Sequence, residues 1–187
     1  MKKIVLLSLV VASALVLTNC KSKEKITKDA TEIQLPFSEN KYQSDKDHFR
    51  AKNYGKSPDL ATAKKIAMQN AKSEMAGNIS STIKTVTDQY VNQRQVADAV
   101  EFENKFEELS RNVVNQKLVD VVVIGEKALQ EKDGHYTYWI AIETSKDAIL
   151  EGVSSAISRD KKIALDYDKH KYEETFNKEM EKFEQNY

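Results

Sequence analysis

The sequence predicts an α+β domain: a small antiparallel sheet with a β-hairpin, packed against an alanine-rich helix and followed by a long C-terminal helix. Three observations carry that expectation. Residues 57–77 place Ala63, Ala67, Ala71 and Met75 at helical spacing behind a Ser57-Pro58-Asp59 start. Residues 135–144 alternate without a break after an Asp133-Gly134 turn pair. The charge-dense residues 159–187 carry Tyr172, Phe176, Met180, Phe183 and Tyr187 at steps of four, four, three and four.

The chain opens with Lys2, Lys3 and an apolar run from Ile4 to Leu17 broken only by Ser8 and Ser13. That run is short of the roughly 20 residues needed to span a bilayer and has the form of a secretory signal peptide over residues 1–19. Leu17-Thr18-Asn19-Cys20 closes it and resembles a lipobox, with Asn19 where Gly, Ala or Ser is usual. Cys20, the only cysteine, is then the lipidation site and the first mature residue. Each buried methylene adds about 0.8 kcal/mol of membrane affinity, so the two or three chains of such a cysteine imply lasting attachment. A single cysteine consumed by an anchor leaves no disulfide, and stability rests on the core.

Without the leader about 168 residues remain, enough for one domain with a real core. Loss of Lys2 and Lys3 leaves 27 basic against 29 acidic side chains, a formal −2. That balance argues against nucleic acid as a partner. Residues 20–46 are polar and charged and read as a flexible tether spanning about 28 Å root-mean-square, with Ile33, Leu35 and Phe37 alternating around Pro36 as a candidate edge segment. Lys21, rather than Asp, follows the cysteine, which favours the outer membrane.

The expected domain covers residues 47–158. Asp47 to Tyr54 is a strand ended by Gly55. Ser57 caps the alanine helix, with Asp59 at the positive end of its dipole and Gly77 at its end or break. Residues 79–87 stay open between two readings. Ile79, Ile83, Val86 and Tyr90 have helical spacing, yet six of the nine residues are β-branched, which tips the balance towards a strand. Glu101 to Gln116 is a helix with Phe102, Phe106, Leu109 and Val113 on one face and Glu107 four before Arg111. Leu118 to Ile124 reads as a buried strand. Ser145 caps a helix bearing Ile149, Val153 and Ile157. On the hairpin, Trp139 alternates with Thr137 and Ala141 and is expected to pack beneath the alanine helix.

The order of these parts, with Phe49-Arg50-Ala51, the stretch Ala61-Thr62-Ala63-Lys64-Lys65-Ile66-Ala67 and Tyr136-Thr137-Tyr138-Trp139, resembles the LPP-twenty family, named for a twenty-kilodalton membrane-associated lipoprotein. A similar domain begins a flagellar T-ring assembly protein. The likeness covers about Asp47 to Ala148. It implies an envelope lipoprotein with a small α+β domain and brings no catalytic residues with it.

The residues offer no recognisable catalytic or metal pattern. His48, His135 and His170 lie far apart with no second cysteine. There is no Gly-x-Ser-x-Gly elbow and no glycine-rich phosphate loop, and no cofactor is expected. The expectation is a non-enzymatic envelope lipoprotein, a structural or adaptor protein tethered to the outer membrane through Cys20. Its C-terminal helix, residues 159–187, either presents Tyr172, Phe176, Met180, Phe183 and Tyr187 to another envelope protein or a second copy, or folds that seam back on its own domain. The alternative is a module that binds peptidoglycan or another envelope glycan, with Trp139, Tyr136 and Tyr138 as its platform.

Overall fold

The structure, a computed structural model, describes residues 33–94 and 98–185. The leader and Cys20 lie outside the described residues, as does Tyr187. A 3-10 turn over Asn40–Tyr42 precedes strand β1 (His48–Ser57), helices α1 (Leu60–Arg94) and α2 (Ala99–Lys117), strands β2 (Val122–Gln130) and β3 (Tyr136–Ser145), and helices α3 (Lys146–Arg159) and α4 (Lys169–Gln185). The sheet is antiparallel in the order β1-β3-β2. The α+β class, the hairpin, the alanine-rich helix and the C-terminal helix are all present.

Helix α1 organises the body. Asp59, not Ser57, is its cap: the Asp59 carboxylate accepts the Thr62 N–H at 2.7 Å, while the Ser57 hydroxyl accepts the Asp59 N–H at 3.2 Å. At 35 residues the helix runs about 52 Å. Its first half lays Ala63, Ala67, Ala71 and Met75 on the inner face of the sheet, all fully buried. Gly55 lies inside β1 rather than ending it, and its missing side chain allows the backbones to approach. A Cβ there would stand 2.6 Å from the Ala67 nitrogen and closer still to the Ala63 carbonyl oxygen.

The helix does not stop at Gly77. Residues 79–87, expected as a strand, form its second half. Ile79, Thr82, Ile83, Val86, Thr87 and Tyr90 all turn inward at helical spacing. Three threonines return their hydroxyls to the fourth carbonyl back, Thr82 to Asn78, Thr85 to Ser81 and Thr87 to Ile83. Burial along one continuous face outweighs the small intrinsic cost of β-branching, a few tenths of a kcal/mol per residue.

Around that second half an aromatic layer joins α1, α2 and α4. Tyr90 stacks on Phe102 with centroids 5.9 Å apart, and Tyr172 meets Phe106 at 4.9 Å. Phe176 links this layer to Phe49 of the sheet at 6.4 Å. The C-terminal segment is not one helix from residue 159. Asp160 caps the end of α3, turns follow with Ile163 buried, and α4 starts at Lys169.

Strand β2 also differs from expectation. Leu118 to Asp120 belong to the end of α2 and the turn after it, and the strand runs from Val122 to Gln130. It is not buried: Val122 is 56 % exposed and Val123 39 %. The cover of α1 falls on β1 and β3, and β2 is left as an edge. The loop 131–135 closes through the Gly134 N–H on the Glu131 carbonyl at 3.0 Å, with Gly134 at φ 86°.

Candidate functional site

The two faces of the sheet carry different chemistry, set by register. Phe49, Ala51, Gly55, Tyr138, Ile140 and Ile142 turn to α1 and are buried. The residues between them form four cross-strand rows on the outer face. From one end these are Arg50–Glu143–Val122, Lys52–Ala141–Gly125, Tyr54–Trp139–Lys127 and Lys56–Thr137–Leu129.

Part of the tether segment covers the first two rows. Phe37, at φ 61°, lies against Gly125 so closely that a Cβ there would meet its ring at 2.7 Å, and its carbonyl accepts the Lys52 ammonium at 2.7 Å. Phe37 also packs edge-on against Tyr42. Arg50 clasps the strap's other end, donating to Asp45, to the Gln43 carbonyl at 2.8 Å and to Glu143 at 2.9 Å. The Ser44 hydroxyl accepts from the Arg50 N–H at 2.9 Å and donates to its carbonyl at 3.2 Å, so this strap also satisfies the edge of β1. Packing thus begins at Phe37, inside residues 20–46. Ile33 and Leu35 are exposed, and no edge strand forms there.

The other two rows stay open. Tyr54, 48 % exposed, tilts against half-buried Trp139 with ring centroids 4.9 Å apart and planes at 33°. Trp139 therefore faces away from α1, a correction to the sequence reading. An alternating strand tells which residues share a face but not which face is covered. Tyr136 and Tyr138 lie on the opposite side from Trp139, so the three aromatics do not form one platform. Tyr54, which no sequence signal marked, takes their place.

Around the pair stand polar groups. Lys56 reaches Glu131 at 2.6 Å and Asp133 at 3.6 Å, and the Thr137 hydroxyl donates to Glu131. The Lys56 hydrogen bond, with that of Thr137, holds the Glu131 carboxyl below the usual range and in turn raises Lys56. Lys127, opposite Trp139, is exposed and meets no acid among the described residues.

The seam expected to face a partner is instead largely core. Tyr172, Phe176 and Met180 are fully buried against α1, α2 and the sheet, and Phe183 is half-buried 6.4 Å from Phe49. An apolar stripe on a charged helix needs a surface, and the chain supplies its own.

Elsewhere, a groove of about 490 Å³ between α1 and α2 has Ile83 and Phe106 beneath Lys84, Asp88, Glu103, Glu107 and Arg111. Arg111 is held by Glu107 at 2.7 Å, and the charges are those of solvated helix faces. Among the described residues no three His, Cys, Asp or Glu side chains gather as metal ligands, and no helix is long and apolar enough to cross a membrane. No protein-family model, curated protein or solved structure matches the chain.

Proposed function

We propose that the chain is a non-enzymatic lipoprotein of the cell envelope, anchored at the outer membrane through Cys20 and displaying a binding domain. The observation that carries this reading is the leader itself: two lysines, an apolar run too short to span, and the sole cysteine at its end. The resemblance of residues 47–148 to the LPP-twenty family agrees with it. Sixteen residues separate Cys20 from Phe37, where packing begins. They give the domain a reach of at most about 55 Å from its anchor.

The test is Cys20→Ala in a cell that processes lipoproteins. The variant should remain an unlipidated precursor and lose incorporation of an alkyne fatty acid. Equal labelling, with unchanged membrane fractionation, would sink the assignment.

In a structural or adaptor role, the surface offered to a partner is not the seam of α4, which its own domain occupies. A second reading, an envelope-glycan module, draws support from the open Tyr54–Trp139 pair.

A further inference from the structure

We infer that the open half of the sheet's outer face, built on Tyr54, Trp139 and Lys127, binds peptide-free glycan strands of the cell wall, which become an acidic polysaccharide once amidase cleavage bares their lactyl carboxylates. Stacking of pyranose rings on the two aromatic side chains carries the binding. This inference rests on the envelope reading for the source of the sugar. The chemistry of the face itself does not depend on the anchor.

The strap leaves half of the outer face uncovered. Phe37 roofs the Lys52–Ala141–Gly125 row and stops there. The neighbouring row holds the largest apolar side chains of the face and is open. Its three strands span about 10 Å, narrow enough for one extended chain and closed at one end by the strap. Large aromatics left together at a surface mark recognition sites more often than scattered single residues do.

The apolar surface left open is mostly aromatic. Apart from Leu129, the open rows offer rings rather than aliphatic side chains. A flat ring matches the C–H face of a pyranose, whereas an aliphatic knob of a protein partner has no socket here. Tyr54 and Trp139 are braced against each other at 4.9 Å, so little side-chain freedom is lost on binding.

A polar rim borders the rings. Thr137, Glu131 and Lys56 form a connected set of donors and acceptors beside the rings, suited to sugar hydroxyls. Lys56 is shared by Glu131 and Asp133, so the rim's own ammonium is engaged. The cation beside the rings that meets no acid among the described residues is Lys127, one strand from Trp139, and a carboxylate on a stacked sugar would pair with it.

The chain reports on this site directly, because Trp139 is its only tryptophan. The full chain in detergent micelles is titrated with glycan strands freed of their peptides by an amidase, and with neutral dextran. Strands should shift Trp139 emission saturably, and binding should weaken severalfold at 0.5 M salt, since added ions screen an exposed charge contact. Tyr54→Ala, an exposed position, should bind at least tenfold more weakly. Lys127→Gln should lose severalfold and most of the salt dependence. Unchanged Trp139 emission through the titration would overturn the inference, as would equal binding by Tyr54→Ala. Dextran binding as tightly as the strands would overturn the selection of an acidic chain. Cys20→Ala is titrated alongside. Strand binding by a variant that still labels with fatty acid fails the anchor alone, and labelling lost only in that variant, without strand binding by either chain, fails the site alone.

Discussion

Gly55 passes beneath Ala67 with no space for a side chain: a Cβ on the strand residue would lie 2.6 Å from the helix residue's amide nitrogen. Both partners are backbone, so neither can rotate away. Gly55→Ala should therefore lift α1 from β1 and cost about 1–3 kcal/mol or more, as overpacking does. Chemical denaturation of the variant checks it, and a loss below about 0.5 kcal/mol would mean that the helix sits further from the sheet.

Two buried tyrosines on the same aromatic layer should respond oppositely to loss of their hydroxyls. Tyr90 donates to the Asp166 carbonyl at 2.9 Å and accepts the Asp168 N–H at 2.7 Å, fixing the turn that leads into α4. Tyr90→Phe leaves both backbone groups short of a partner and should cost about 1–3 kcal/mol. The Tyr172 hydroxyl is wholly buried and makes no well-formed hydrogen bond among the described residues, its neighbour the Thr87 hydroxyl being given to the Ile83 carbonyl, and burial pushes its pKa far upward. Tyr172→Phe should be neutral or stabilising. Thermal melts of the two variants side by side decide the matter.

Periodicity located α2, β3, α3 and the apolar seam of α4, because burial on one face leaves a repeating mark. Thr82, Thr85 and Thr87 point locally to a strand, and that preference is outweighed by the buried face on which Thr82 and Thr87 join Ile79 and Tyr90. Val119, Val122 and Val123 look like core in sequence and are exposed, because nothing in a strand's own residues states whether a helix will lie over it. The same gap hid the site: Trp139 was visible, but its partner Tyr54 comes from a strand more than 80 positions away, joined to it only by register.

Placement of the seam makes a direct prediction for α4. Phe176 is fully buried between Phe49 and Tyr172, so Phe176→Ala should cost about 3–5 kcal/mol. Deleting residues 169–187 should lower the melting temperature by many degrees while leaving the solution mass that of one chain. Association lost on truncation with melting unchanged would return the helix to a partner-facing role.

The strap gives a pH dependence with a definite sign. Burial pushes the Asp45 carboxyl up, but hydrogen bonds from Arg50 and from the Asp47 and His48 amides outweigh it, and its pKa falls below the ordinary 3.8. Arg50 is affected the other way: burial lowers it, and Asp45 and Glu143 more than restore the charge. A depressed carboxyl contributes stability that is present above its unfolded pKa and is lost as pH falls through the folded one. Asp45→Asn removes the charge at neutral pH and should cost about 1 kcal/mol, a modest figure because Asp45 is partly open to solvent. The melting-temperature gap between wild type and Asp45→Asn should thus be full at pH 5 and above and close progressively below pH 4. A gap that stays constant from pH 7 to pH 2 would show that Arg50 holds the strap through Gln43 and Glu143 alone. The strap ends where Tyr54 and Trp139 begin, so Trp139 emission followed through the same titration tests a further consequence. Loosening of Phe37 from Gly125 should make the tryptophan more water-exposed in acid for wild type, and should do so already at neutral pH for Asp45→Asn.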